Sequence, residues 1–340
     1  MATKIAINGF GRIGRNAFKI ALNRSDIEIV AVNDLVDPKT SAHLLKYDST
    51  YGIFDRKISS DDENLIVDDK KYRVLQIKNP AELPWKDMNV DVVIESTGLF
   101  VDPAKARAHI EAGAQKVILS APAKGDGAQT IVLGVNDETL AKSGEIISNA
   151  SCTTNCISPV MSILENSFGV KKAMMTTIHS YTSDQRLLDS PHKDPRRMRS
   201  AAMNIIPTST GASIAATETI PSLKNKFGGL SFRVPTPIVS VSDFVILLAR
   251  TTTKEEINQV LSDAAKQPYY QGILDVTREE LVSSDFIGNA CSSIVDLNLT
   301  DVVDGDLVKV VAWYDNEWAY SNRLVELTAD TAKMLRNNGK

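Results

Sequence analysis

In the segment Ser148-Asn-Ala-Ser-Cys-Thr-Thr-Asn-Cys156, Cys152 stands where a strand-like run gives way to a helix with apolar positions at Ile157, Val160, Ile163 and Leu164. A thiol at a helix N-terminus meets unpaired backbone amides and the positive end of the helix dipole, and both favour the nucleophilic thiolate. In isolation a cysteine is more often a small buried apolar residue, Cys152 included, and Cys156 and Cys291 are read that way. A thiol nucleophile needs a base, and the chain has four histidines. His179 lies in the strand-like run from Met174 to Tyr181, where alternation can aim its ring into a cleft beside a thiol. His43, His109 and His192 lie in helical or polar contexts and are read as structural.

Anion-binding chemistry is the second theme. Arg186, His192, Lys193, Arg196, Arg197 and Arg199 form the densest basic segment, although Asp184, Asp189 and Asp194 would equally balance it as a solvated loop. Arg233, inside Phe232-Arg-Val-Pro-Thr-Pro237, is costly to bury without an anion; an exposed strand face is the alternative. Hydroxyls in Thr208-Ser-Thr-Gly211 and Ser180-Tyr-Thr-Ser183 add neutral donors for phosphate oxygens. Together these residues point to phosphate recognition.

The third theme is a G-x-G-x-x-G turn at Gly9, Gly11 and Gly14, after a strand and at the start of a helix. Asp34 ends the next strand 20 residues beyond Gly14, where a carboxylate can accept from ribose hydroxyls while the helix amides face a pyrophosphate. A dinucleotide is the favoured ligand. The carboxylate of Asp34 would repel a 2′-phosphate, so NAD is preferred to NADP.

The elements that must position these groups follow from periodicity. Lys4–Asn8, Arg15–Asn23 and Ile27–Asn33 read as a βαβ unit. Strands are expected at Val90–Glu95, Lys116–Ser120, Ile131–Val135 and Glu145–Ser148, with a helical stretch at Pro103–Glu111, which argues a mostly parallel, doubly wound α/β sheet. Beyond residue 152 the pattern changes to a helix at Thr153–Phe168 and long strands at Ala173–Tyr181, Leu230–Pro235, Ser240–Arg250 and Val308–Tyr314, which suggests a second, more antiparallel sheet. Ala319–Leu335 has the spacing of an amphipathic helix, expected to dock on the first domain.

Composition excludes several classes. The 340 residues, 43% hydrophobic and 24% charged, suit two globular domains rather than a disordered or fibrous chain. A formal charge of −4 provides no global attraction for nucleic acid or anionic lipid, and the basic segment lacks the interleaved aromatics of a nucleic-acid surface. Three cysteines make no disulfide framework, which fits a reducing compartment with the cytosol as default. The N-terminus has no signal-peptide pattern and reads as mature protein, and no apolar run reaches the roughly 18 residues of a membrane span.

At these residues the sequence resembles the phosphorylating glyceraldehyde-3-phosphate dehydrogenases. The resemblance rests on NGFGRIGR (Asn8–Arg15), SNASCTTNC (Ser148–Cys156), HSYT (His179–Thr182), TSTGA (Thr208–Ala212), RVPTP (Arg233–Pro237) and WYDNE (Trp313–Glu317), collinear along essentially the whole chain. It implies a Rossmann dinucleotide-binding domain over 1–151, completed by a C-terminal helix at 317–340. The catalytic domain over 152–316 would carry a mixed, largely antiparallel sheet, in a cytoplasmic homotetramer. By the same resemblance Cys152 is the nucleophile and His179 the base. Thr182 and Arg233 would hold the C3 phosphate of glyceraldehyde 3-phosphate. Ser151, Thr153, Arg197, Thr210 and Gly211 would hold the attacking inorganic phosphate. Gly9, Gly11, Arg12, Ile13, Gly14, Asp34, Thr97, Ser120 and Asn316 match cofactor contacts, Asn316 that to the nicotinamide carboxamide.

The implied reaction is oxidation of the aldehyde through a Cys152 hemithioacetal and thioester, then phosphorolysis to 1,3-bisphosphoglycerate. No metal is expected. Ser190 is smaller than its counterpart in several NAD-specific relatives, which leaves NADP as a secondary cofactor. Two rivals remain at this point. An erythrose-4-phosphate dehydrogenase would hydrolyse the thioester, and an idle NAD-binding protein would use Cys152 only as an oxidation sensor.

Overall fold

The apolar run at the start of the chain becomes β1 (Thr3–Asn8), and the glycine turn after it opens α1 (Arg12–Ala21), followed by β2 (Ile27–Asn33). The computed structural model describes residues 2–338. Next come α2 (Pro38–Lys46), β3 (Tyr47–Asp48), β4 (Gly52–Ile53), β5 (Ile58–Ser60), β6 (Asn64–Val67), β7 (Lys70–Leu75) and β8 (Val92–Glu95). After these lie α3 (Pro103–Ala106), α4 (Ala108–Glu111), β9 (Lys116–Leu119), β10 (Gln129–Thr130) and β11 (Ile146–Ser148). Nine of these strands form one sheet in the order β10-β11-β9-β8-β1-β2-β7-β6-β5. It is parallel from β10 to β7, and antiparallel only where β6 and β5 extend it.

The helix α5 (Cys152–Phe168) leads into β12 (Val170–Ser180), β13 (Ile206–Thr208), α6 (Ala212–Thr219), β14 (Phe227–Val234) and β15 (Ser240–Leu248). Then follow α7 (Lys254–Ala265), β16 (Leu274–Thr277), β17 (Ser293–Asp296), β18 (Asp301–Val303), β19 (Leu307–Tyr314) and α8 (Trp318–Asn338). The second sheet runs β13-β14-β12-β15-β19-β17-β16, with β18 on β19; its pairs are antiparallel except β12–β14 and β16–β17. Two compact units divide the chain. One takes the chain up to Ile131, Glu138–Ala150 and the chain from Ser321 onward; the other takes Val132–Asp137 and Ser151–Tyr320. Among the described residues no helix is long and apolar enough to cross a membrane.

The core of the second unit gathers one face of α5 (Cys156, Ile157, Val160, Leu164) against Phe244, Ile246, Val308 and Val310 of the sheet. Ser151 caps α5, its Oγ accepting from Thr154 N–H at 3.0 Å, and Gly169 ends it with a φ of +70°. Cys152 is thereby fixed at the first turn of a helix anchored by its own buried face.

Two expectations fail. Ile131–Val135 is not a strand: Val135 N–H closes a turn onto Val132 O at 3.0 Å, Gly134 has a φ of +83°, and Asn136 Oδ1 accepts from Val132 N–H at 2.8 Å. Gly and Asn, which favour turns, override the β-branched composition there. Pro103–Glu111 is not one helix but the single turns α3 and α4, meeting at Arg107.

The glycine turn requires glycine on steric grounds. A Cβ on Gly14 would lie 2.0 Å from Gly9 O, and one on Gly9, which has a φ of +95°, would lie 2.6 Å from Thr97 N. Gly14→Ala is expected to cost about 1–3 kcal/mol through backbone displacement. The measurement is urea unfolding of the variant, and an unchanged midpoint would refute the close approach.

Candidate active site

Three elements converge on the thiol. Cys152 opens α5, His179 stands one residue from the end of β12, and Arg233 lies directly opposite His179 in the parallel β12–β14 pair. Cys152 Sγ is 3.5 Å from His179 Nε2. His179 Nδ1 is 2.7 Å from Ser180 O and 2.6 Å from Arg233 Nη1, which is itself 3.0 Å from Ser180 O. A proton on Nδ1, donated to Ser180 O, leaves a lone pair on Nε2 facing the thiol. A lone pair on Nδ1, taken by Arg233, puts the proton on Nε2. The pocket therefore accommodates both neutral tautomers.

Burial sets the resting charges. It pushes the Cys152 thiol up, against the Arg233 charge that pulls it down. Burial, reinforced by Arg233, drives the His179 imidazolium pKa down to about 3. Burial thus favours the thiol and the imidazole, against the thiolate that helix polarity favours. The dipole contribution is weakened because Ser151 Oγ already occupies one amide of the first turn.

The proposed phosphate ligands are only partly free. Ser151 Oγ serves as the helix cap and Thr153 Oγ1 is 2.9 Å from the buried Tyr314 Oη, which also bonds Thr177 Oγ1 at 2.9 Å. Arg197 Nη1 and Thr182 Oγ1 both donate to Asp184, and Arg197 Nε donates to Thr208 Oγ1 at 2.9 Å. Asp184 thus occupies part of the basic, hydroxyl-rich cluster as an internal anion, whereas the sequence placed it only in a solvated loop balancing the basic segment. Arg233 Nε is buried without a hydrogen-bond partner. Thr210 Oγ1 accepts from Ala212 N–H at 3.2 Å, and the exposed Gly211 caps α6.

Asn316 is also oriented. Ser240 Oγ donates to Asn316 Oδ1 at 3.0 Å while accepting Ser180 N–H at 3.1 Å, which leaves the Asn316 Nδ2 group as a donor.

In the first unit, Asn8, Asn33 and Glu95 end adjacent parallel strands in register, and β1 lies between β2 and β8 at the point where strand order reverses. A cleft of about 300 Å³ opens there, lined by Gly9, Gly11, Asp34, Leu35, Thr97 and Phe100 among others. This is where a doubly wound sheet binds ligands. The cleft fits a dinucleotide: a Cβ on Gly11 would point into open space, and Asp34, just after β2, has its carboxylate fixed by Phe10 N–H at 2.7 Å and Val36 N–H at 3.2 Å. Ser120 follows β9, its N–H bonded to Glu95 O at 2.9 Å. Ile13 lies in the first turn of α1, whereas the Arg12 guanidinium turns to Asp48 and Tyr51, so the backbone is what Arg12 presents at the helix start.

Two pH effects follow. Between about pH 3 and pH 6.5 the unfolded chain carries a proton on residue 179 that the folded chain does not, so His179 makes stability fall as pH drops through that window. His179→Asn is expected to flatten this acid limb, read by urea midpoints across the window; an unchanged limb would contradict the buried neutral ring. Alkylation of Cys152 by iodoacetamide is expected to keep rising into the alkaline range, and Arg233→Gln to slow it at neutral pH by up to about tenfold, since one pKa unit is tenfold in thiolate. Equal rates in the two proteins would remove Arg233 from the thiol's electrostatics.

Residues 3–103 match the family described as "Glyceraldehyde 3-phosphate dehydrogenase, NAD binding domain", and residues 151–316 match its "C-terminal domain". The chain is 53% identical to glyceraldehyde-3-phosphate dehydrogenase of Geobacillus stearothermophilus over 330 residues, covering 97% of this chain and 98% of the relative. It is 52% identical to glyceraldehyde-3-phosphate dehydrogenase 1 of Bacillus subtilis (98% and 99% covered) and 51% identical to glyceraldehyde-3-phosphate dehydrogenase 2 of a Synechocystis species (97% and 99%). With two family matches that take up most of its length and relatives aligned nearly end to end, the chain belongs to the glyceraldehyde-3-phosphate dehydrogenase family.

Proposed function

We propose that the chain oxidises glyceraldehyde 3-phosphate with NAD and joins the product to inorganic phosphate, as the phosphorylating glycolytic enzyme. The carrying observation is the 3.5 Å contact between Cys152 Sγ and His179 Nε2, with Arg233 beside both. His179 Nε2 takes the thiol proton as Sγ bonds to the aldehyde carbon, returns it to the oxygen of the hemithioacetal, and takes it up again as that carbon is oxidised. The cleft lined by Gly9, Gly11, Asp34 and Thr97 would hold NAD, which would supply the two-electron acceptor for oxidation of the hemithioacetal to a thioester. A phosphate oxygen then bonds to the thioester carbon as the C–S bond breaks, giving 1,3-bisphosphoglycerate and regenerating the Cys152 thiolate. Amides at the α5 N-terminus stabilise the oxyanion of both additions.

In this reading Arg233 and Thr182 receive the C3 phosphate, and Ser151, Thr153, Arg197, Thr210 and Gly211 surround the attacking phosphate. Glycines 9, 11 and 14, with Arg12, Ile13, Asp34, Thr97 and Ser120, hold the dinucleotide, and Asn316 Nδ2 the nicotinamide amide. The exposed Ser190 supports NADP as a secondary cofactor and Asp34 supports NAD as the main one. A cytoplasmic homotetramer is proposed as well. Its support is a set of exposed apolar side chains: Leu187, Leu188, Met203 and Ile205 near the basic segment, and Met174 and Val245, which are paired neighbours on β12 and β15.

The first test follows NADH formation from glyceraldehyde 3-phosphate with phosphate present or omitted, and with NAD or NADP. Steady turnover is expected only with phosphate, arrested after one equivalent per site without it. Phosphate-independent turnover would instead favour thioester hydrolysis, and NADP efficiency at or above that of NAD would overturn the reading of Asp34. Cys152→Ser should abolish turnover and retain NAD binding; His179→Asn should lower kcat by about 10²–10⁴.

A further inference from the structure

Behind the glycine turn lies a buried titratable pair that the chemistry above does not use. Glu95, at the end of β8, and His109, on α4, are both buried. Glu95 Oε1 accepts from the backbone N–H of Thr97 at 2.8 Å and from Thr97 Oγ1. Its Oε2 accepts from Asn8 Nδ2 at 2.5 Å and lies 3.0 Å from His109 Nε2. Trp85 Nε1–H, which can only donate, is 3.0 Å from His109 Nδ1. The indole therefore claims the Nδ1 lone pair and leaves the ring proton on Nε2, pointed at Glu95. Asn8 is locked too: its Oδ1 accepts from Asn33 Nδ2 at 2.6 Å, and Asn33 Oδ1 accepts from Ile77 N–H at 3.0 Å. Every group facing the carboxylate is thus a donor, and neither amide nor ring can turn over without breaking a further bond.

The network touches the cleft at several points, since Asn8, Asn33 and Thr97 line it, as does Phe100, which meets the His109 ring edge-on. Ser96 Oγ completes the attachment by donating to Gly9 O at 2.7 Å. We propose that Glu95 is a positioning residue of the cofactor cleft: its carboxylate, held by the Asn8 and Trp85–His109 chains, fixes the Ser96–Thr97 loop against the glycine turn and so sets dinucleotide affinity. This rests on the reading that the cleft binds NAD.

A glutamine at 95 is nearly isosteric but must turn an amide N–H₂ toward one set of donors, with no acceptor there to receive it. Replacing Trp85 by Phe frees His109 to carry its proton on Nδ1 and to accept at Nε2, which relieves the mismatch with His109 and leaves that with Asn8. The test is calorimetric titration of NAD into the substrate-free protein for wild type, Glu95→Gln, Trp85→Phe and the double variant, alongside steady-state kinetics.

Leaving buried donors unpaired predicts a Kd for NAD raised by about 5- to 100-fold in Glu95→Gln. The kcat at saturating NAD and the KM for glyceraldehyde 3-phosphate are expected to stay near wild type. In the double variant, part of the lost affinity should return although a second buried side chain has been truncated. Wild-type NAD affinity in Glu95→Gln, or additive loss in the double variant, would overturn the proposal. If Glu95→Gln does not fold, Glu95→Asp, which keeps the charge but draws it back from Thr97, replaces it with the same expected split; equal losses in kcat and NAD affinity would assign Glu95 to general stability alone. Failure of the wild-type protein to bind NAD would instead refute the cofactor reading itself.

Discussion

His179 and Arg233 are 54 residues apart in the chain, yet the parallel pairing of β12 with β14 sets them side by side. Side chains at paired positions of neighbouring strands project from the same face, so this register brings the guanidinium onto the imidazole. A one-residue slip of β12 would turn its side chains over and take His179 away from Cys152. The second sheet, the core face of α5 and the Ser151 cap all serve to keep that register facing the thiol.

Placing a cation beside a buried imidazole and a thiol gives the site its electrostatic character. Burial favours the neutral forms of both groups, and Arg233 opposes this for the thiol while reinforcing it for the ring. The guanidinium itself is partly compensated by Asp184, which also draws in Arg197 and Thr182. A carboxylate thus already organises the donors of this cluster, and Arg233 Nε is buried without a hydrogen-bond partner.

The first unit solves a different problem, a close approach between backbones. Gly14 lets α1 rest on Gly9 O, Gly9 lets the loop after β8 rest on the turn, and Ser96 Oγ ties the two together. A helix start free of side-chain bulk at Gly11 then faces the cleft, with Asp34 held at its edge. Steric necessity explains the three glycines here, and hydrogen bonding explains the polar residues that end the strands.

Local chemistry is written in the sequence because its causes are local. The strand–glycine–helix pattern around Gly9 to Gly14, the helix start at Cys152 and the long strands carrying His179 and Arg233 each depend on residues within a few positions of one another. The parallel sheet also follows from alternating periodicities. The sequence left open whether Arg233 was buried, gave His109 only a structural reading and did not single out Ser240 or Tyr314, because each acquires its partner from a distant segment. It misread Ile131–Val135, where turn-forming Gly134 and Asn136 outweigh β-branched neighbours. The resting protonation of Cys152 and His179 was likewise decided by the fold: helix polarity is a local property, but burial and the approach of Arg233 exist only once the sheets have assembled.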